Sequence, residues 1–149
     1  MNDLPARPRV SAPLGETLPA SCYADPEVFA KERAGIFARH WQLFAHESRM
    51  REPGDYVAGM LAGYPIVVLR NRDGQVRGFH NVCRHRAAQL VPDGAGRAKS
   101  LVCPYHGWKF KPDGECVRIP ANLQNVPVPR KARVDSYPTQ DKYGWVWAF

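Results

Sequence analysis

The order of apolar and polar side chains changes character near residue 53. Before that point Val28, Phe29, Ile36 and Phe37 recur at near-helical spacing. Asp25-Pro26-Glu27 is a helix start, with Asp as N-cap, Pro in the first turn and Glu near the positive end of the dipole. A helix over about 25–39 is expected, with Trp41, Leu43 and Phe44 packing it onto the rest of the chain.

After Pro53-Gly54 the pattern becomes that of strands. Tyr56-Val57-Ala58 and Ile66-Val67-Val68-Leu69 are β-rich. Asn71-Arg72-Asp73-Gly74 signals a hairpin that leads into a strand from Gln75 to Val82. Residues 91–99 read as a loop, and Leu101-Val102 as a short strand. Trp108-Lys109-Phe110 and Cys116-Val117-Arg118-Ile119 flank a second hairpin at Pro112-Asp113-Gly114. Residues 120–138 are Pro-rich and irregular, and 143–149 form a last strand. The predicted fold class is mostly β: an antiparallel domain over residues 21–149 with one N-terminal helix. A Pro-rich mobile arm, residues 1–20, precedes it.

A chain of 149 residues suits one domain. No long apolar run is present, so no transmembrane helix is expected. The first twenty residues carry four Pro and no apolar core of a signal peptide, and the cytoplasm is the default location. The net charge of +7 allows an acidic partner. The basic residues are scattered (Arg7, Arg33, Arg51, Arg72, Arg97, Lys111, Arg130), and no nucleic-acid motif accompanies them, so no nucleic acid is expected.

Chemistry concentrates in two runs, Cys83-Arg84-His85 and Cys103-Pro104-Tyr105-His106. Each offers one thiolate and one imidazole, which is the donor set of a [2Fe–2S] cluster with two Cys on one iron and two His on the other. Cys83 and Cys103 would share the inner iron, and His85 and His106 the outer one. A zinc site made from the same four residues is the alternative, although zinc motifs usually give both Cys before both His. A disulfide reading lacks an oxidising compartment. Cys22 and Cys116 match no ligand position, and His40, His46 and His80 read as structural.

At these residues the chain resembles the Rieske domain of ring-hydroxylating and related Rieske oxygenases, found at the N-terminal part of their large (alpha) subunit. Asn81-Val82-Cys83-Arg84-His85-Arg86 and Cys103-Pro104-Tyr105-His106-Gly107-Trp108-Lys109-Phe110 carry the likeness, with Asp113-Gly114 and the stretch from Trp41 to His46. The resemblance implies a Rieske-type β domain with a two-loop cluster-binding subdomain, holding one [2Fe–2S] cluster on Cys83, His85, Cys103 and His106. It implies a surrounding role for Arg86, Pro104, Tyr105, Gly107 and Trp108. Respiratory relatives add a Cys to each loop, and Ala88 and Tyr105 stand at those places here. They also follow the second His with Gly-Ser, where this chain has Gly107-Trp108. Fewer hydrogen bonds to sulfur lower the potential, which suits electrons that come from NAD(P)H. Many family members have Gly directly after His-Arg, and this chain has Ala87, which is strained if that place needs positive φ.

The resemblance further implies a mononuclear Fe(II) site in a separate catalytic domain, whose motif this sequence lacks. The run from Gly144 to Phe149 resembles the family strand that leads towards that domain, so an N-terminal portion of a longer oxygenase is expected. The implied function is one-electron transfer from a ferredoxin or flavin reductase to the mononuclear iron, in the catalytic domain or a neighbouring alpha subunit of a homo-oligomer, a trimer. As given, the chain is an electron-transfer component of a mono- or dioxygenase. Arg84, Arg86 and Lys109 flank the ligand runs and offer a place for the reductase to dock. A self-standing Rieske ferredoxin is the alternative.

Overall fold

The computed structural model describes residues 12, 14–111, 113–123 and 125–149. Of the predicted arm, residues 1–11 and 13 lie outside the described residues. A short helical turn α1 (Ser21–Ala24) leads into α2 (Pro26–Gly35). Asp25 caps α2 by accepting a hydrogen bond from the Glu27 amide, and Pro26 opens the first turn. The helix stops at Gly35 and a 3₁₀ turn follows over Phe37–Arg39, so the predicted 25–39 segment is two elements. It buries no residue. Its Arg33 guanidinium lies 5.0 Å from the centre of the Tyr64 ring.

Eleven strands follow among the described residues: β1 (Gln42–His46), β2 (Asp55–Leu61), β3 (Tyr64–Arg70), β4 (Val76–His80), β5 (Gly94–Arg97), β6 (Leu101–Val102), β7 (Lys109–Phe110), β8 (Cys116–Arg118), β9 (Ser136–Tyr137), β10 (Thr139–Lys142) and β11 (Trp145–Ala148). They form three antiparallel sheets, ordered β5-β2-β3-β4-β9, β1-β11-β10 and β6-β7-β8. The mostly antiparallel β class is as expected.

Strand periodicity explains why the central five-stranded sheet is apolar on both faces. Tyr56, Ala58, Val67, Leu69 and Phe79 point to one side, where they meet Leu101, Phe110, Cys116 and Val134 of the small third sheet and its surroundings. Val57, Val68 and Val76 point to the other side, against Ala45, Met50 and Val146. Two cores thus clamp one sheet. The sheet's hairpin at residues 71–74 forms as predicted: Asn71 Oδ1 accepts from the Asp73 and Gln75 amides, and Gly74 turns the chain at φ 78°.

Four further expectations need correction. Residues 91–99 contain β5, a Gly-rich strand hydrogen-bonded to β2. Leu43 and Phe44 lie in β1, whose Gln42, Leu43, Ala45 and His46 pair with β11, and Trp41 lies just before it against the Phe149 ring. The irregular 120–138 stretch ends in β9. Tyr143 and Gly144 are the turn between β10 and β11, with φ of 58° and 78°, so the last strand starts at Trp145.

Candidate metal centre

Two loops of one design carry the four candidate donors. In the first, the Cys83 amide donates to the Ala88 carbonyl (2.8 Å) and the Ala87 amide to the Cys83 carbonyl (3.0 Å). In the second, the Cys103 amide donates to the Trp108 carbonyl (2.8 Å) and the Gly107 amide to the Cys103 carbonyl (2.9 Å). Each loop closes between its first and sixth residue and turns back through a left-handed fifth residue, Ala87 at φ 53° or Gly107 at φ 69°. Positive φ at Ala87 is the condition under which the sequence predicted strain. Paired residues close each base: Val82 bridges Gln89, and Val102 pairs with Lys109.

The first loop is fixed from below by Asn81, which is fully buried. Its Oδ1 accepts from the Val91 amide at 3.1 Å and its Nδ2 donates to the Val91 carbonyl at 2.9 Å, tying the entry of the loop to its exit. The sequence reading gave Asn81 no such role. The signal was an Asn at the end of an apolar strand, where burial demands partners for both ends of the amide. The second loop packs against Pro120: a Cβ on Gly107 would lie 3.0 Å from Pro120 Cγ.

The donors come as two pairs. Cys83 and Cys103 are both 2% exposed and belong to the larger core. Their side chains lie close enough for the Cys103 thiol to act on that of Cys83. His85 and His106 are exposed, with ring centres 4.7 Å apart. Thiols inside and imidazoles outside fit a two-iron rhomb with an inner and an outer metal. The residues present therefore fit a [2Fe–2S] cluster.

Burial pushes the Cys83 thiol above its ordinary range, the amides of His85 and Arg86 pull it down, and the neighbouring Cys103 thiol raises it again. Metal loading must displace these protons.

The predicted surrounding residues are all at the loops. Trp108 lies flat on His85, and Tyr105 tilts against His106 with ring centres 3.9 Å apart. Arg86 and Pro104 are exposed. Arg84 reaches Asp135 at 3.5 Å. Cys116 is buried in the same core but its Sγ donates to the Arg118 carbonyl, and burial pushes its thiol up. The other imidazoles are engaged elsewhere: His40 Nδ1 with the Ile36 carbonyl, His46 Nδ1 with Ser48, and His80 Nδ1 with the Tyr137 hydroxyl at 3.0 Å.

Comparison with known proteins agrees with this geometry. The Rieske [2Fe–2S] domain family matches residues 40–138. The large oxygenase component of a naphthalene 1,2-dioxygenase system from Ralstonia sp is 46% identical over 98 residues, which are 66% of this chain and 22% of that protein. The benzene 1,2-dioxygenase alpha subunit of Pseudomonas putida is 36% identical over 122 residues, 77% of this chain and 27% of that one. A quaternary ammonium Rieske monooxygenase structure superimposes with TM-score 0.80 at 33% identity, covering 89% of this chain and 37% of its own. Naphthalene 1,2-dioxygenase from Rhodococcus sp. gives TM-score 0.78 at 32% identity, covering 88% and 31%. The chain spans about a quarter of the length of these curated relatives.

Proposed function

The chain belongs to the Rieske [2Fe–2S] domain family, and from that premise we propose that it is the electron-transfer domain of a Rieske oxygenase alpha subunit. The observation that carries the reading is the pair of matched loops, with both thiols in the core and both imidazoles at the surface. Cys83 and Cys103 are the inner ligands, and His85 and His106 the outer ones. The bound cluster supplies one-electron storage at a potential that His ligation raises above that of all-Cys clusters. The protein does the rest. The core around Leu101, Phe110 and Val134 shields the thiol side from water, and the exposed imidazoles present the other side to a redox partner.

The likeness to oxygenase structures extends over 89% of the chain. It thus reaches beyond residues 40–138 of the family match. This supports an oxygenase origin over a self-standing ferredoxin.

Electrons arrive from a ferredoxin or flavin reductase, drawn by the cations Arg84, Arg86 and Lys109 that flank the ligand runs in sequence. They leave for a mononuclear iron in a catalytic domain or in a neighbouring alpha subunit of a trimer. A shallow apolar hollow of about 130 Å³, lined by Phe37, Leu61, Tyr64, Ile66, Tyr137 and Phe149, suits packing against a further part of such an assembly. No helix among the described residues is long and apolar enough to cross a membrane, and we place the protein in the cytoplasm. The test is an EPR spectrum of the anaerobically purified, dithionite-reduced protein, with iron and sulfide counted on the same sample. A Rieske-type signal with about two irons and two sulfides per chain is expected. Bound zinc and a silent spectrum would refute the reading.

A further inference from the structure

We propose that Trp108 is the positioning residue for His85: the indole of the second loop lies flat on the imidazole of the first and fixes the plane in which His85 ligates. The inference rests on the cluster reading above. The two rings are parallel to within 2°, with centres 4.8 Å apart, inside the range of an aromatic stack.

The loop design shows why the brace runs in one direction. Trp108 and Ala88 hold the same sixth place, each accepting a hydrogen bond from the amide of its loop's Cys. In the second loop that place carries an indole that reaches across the gap. In the first it carries a methyl group, which reaches nothing comparable. His106 is therefore met by Tyr105 of its own loop, tilted by 37° and itself 63% exposed.

The indole is well placed to hold another ring. It is half-buried, and the ring of the fully buried Phe110 is 6.5 Å away. His85 needs holding, because residues 84–87 are all exposed. The second side-chain torsion of His has a broad minimum, so an exposed imidazole on such a loop rotates unless something bears on its face. Trp108 supplies that restraint, and it also links the two loops through side chains as well as through metal.

The test uses the full chain loaded with its cluster. Trp108→Leu keeps an apolar side chain and removes the ring, whereas Trp108→Phe keeps a planar ring. Three properties are read: the rate of iron loss to a chelator, the midpoint potential, and the two histidine nitrogen couplings in pulsed EPR of the reduced protein. Trp108→Leu should lose iron about three- to tenfold faster, from the worth of one aromatic stack. It should also shift the potential and displace the His85 coupling while that of His106 stays in place. Trp108→Phe should restore most of each property.

Wild-type iron loss and couplings in Trp108→Leu would overturn the proposal. So would equal displacement of both histidine couplings, or a Phe variant no better than Leu, since either means general packing. Should Trp108→Leu fail to fold, Trp108→Phe decides alone: a small displacement confined to His85 supports the proposal, and none or an equal one refutes it. A wild-type protein that binds no iron would instead refute the cluster reading itself, so the two failures are distinguishable.

Discussion

Replacing Ala87 by Gly should stabilise this protein, against the usual direction for a Gly substitution. Ala87 sits at φ 53°, in the left-handed region, where an L side chain costs about 1–2 kcal/mol. Glycine escapes that cost but adds about 0.5–1 kcal/mol of backbone entropy to the unfolded chain. Ala87 is exposed, so losing its methyl group removes little buried surface. The difference is a gain of up to about 1.5 kcal/mol, centred on about 0.75, or a rise in Tm of about 2–3 °C at the centre for a domain of this size. The second loop supplies the reverse experiment. Gly107 holds the equivalent place at φ 69°, and a Cβ there would also press on Pro120 Cγ at 3.0 Å. Gly107→Ala should therefore cost about 1–2 kcal/mol. Urea and thermal unfolding of both variants beside wild type measure these shifts. An Ala87→Gly protein less stable than wild type by 0.5 kcal/mol or more ( sets that scale) would refute the strain argument.

Gly114→Ala should be more damaging, by about 2–4 kcal/mol through backbone strain and overpacking. Gly114 has φ 83° and its added Cβ would lie 2.5 Å from the Val134 carbonyl oxygen, a backbone atom that cannot swing away; urea unfolding checks it. Asn81→Ala should cost about 2–4 kcal/mol, since it strands the amide and carbonyl of Val91 in the core, and iron retention in the variant should fall with stability. Acid should weaken the protein through Asp55, whose carboxyl the Arg97 guanidinium at 2.8 Å holds below its ordinary range. That contribution is fully present above the unfolded value of about 3.9 and is lost as pH falls through the lowered folded value; Asp55→Asn should flatten this part of a Tm-versus-pH curve, and an unchanged slope would refute the assignment. Removing the metal with a chelator should raise hydrogen exchange in residues 83–90 and 101–110 first, because β6 and β7 have two residues each, whereas the central sheet keeps its five-strand ladder and the core on its other face, away from the loops; uniform loss of protection in β2, β3 and β4 would refute it.

The fold class and the donor motif were legible in the sequence and several strands were not, for physical reasons that particular residues illustrate. Donor spacing survives any error about strands, because Cys83 and His85, and Cys103 and His106, lie on short loops that close within six residues through their own backbone hydrogen bonds. The helix cap at Asp25 and the hairpin at Asn71 were readable for the same reason: each is made by contacts within four residues. The missed strands depend on their partners more than on their own pattern. β10 is Thr-Gln-Asp-Lys, polar throughout, and is a strand because the turn at Tyr143 and Gly144 folds it onto β11. β5 is Gly-Ala-Gly-Arg, which reads as a loop, yet Gly96 is small because the Tyr56 ring lies over it, 2.5 Å from where a Cβ would be. Asn81 acts through Val91, ten residues on, by a pairing that only the folded loop reveals.

The two loops also account for the unequal motif spacing. Both close over six residues with the same two hydrogen bonds and the same left-handed fifth place. The step from Cys-x-His to Cys-x-x-His is therefore no change of loop length. His85 occupies the third place of its loop and His106 the fourth, and Arg86 and Tyr105 fill the places left over. Backbone bonds set the frame, and side-chain choice sets what the frame can bind. Burial then grades the site along each loop: the first-place Cys at the floor, 2% exposed, and the third- or fourth-place His at the rim in water. An electron-transfer domain needs both ends of that gradient. With the proposed ligands, the buried thiol pair would protect the sulfur side from solvent and oxidant, and the exposed imidazole pair would bring the redox group to the surface, where a partner can approach it.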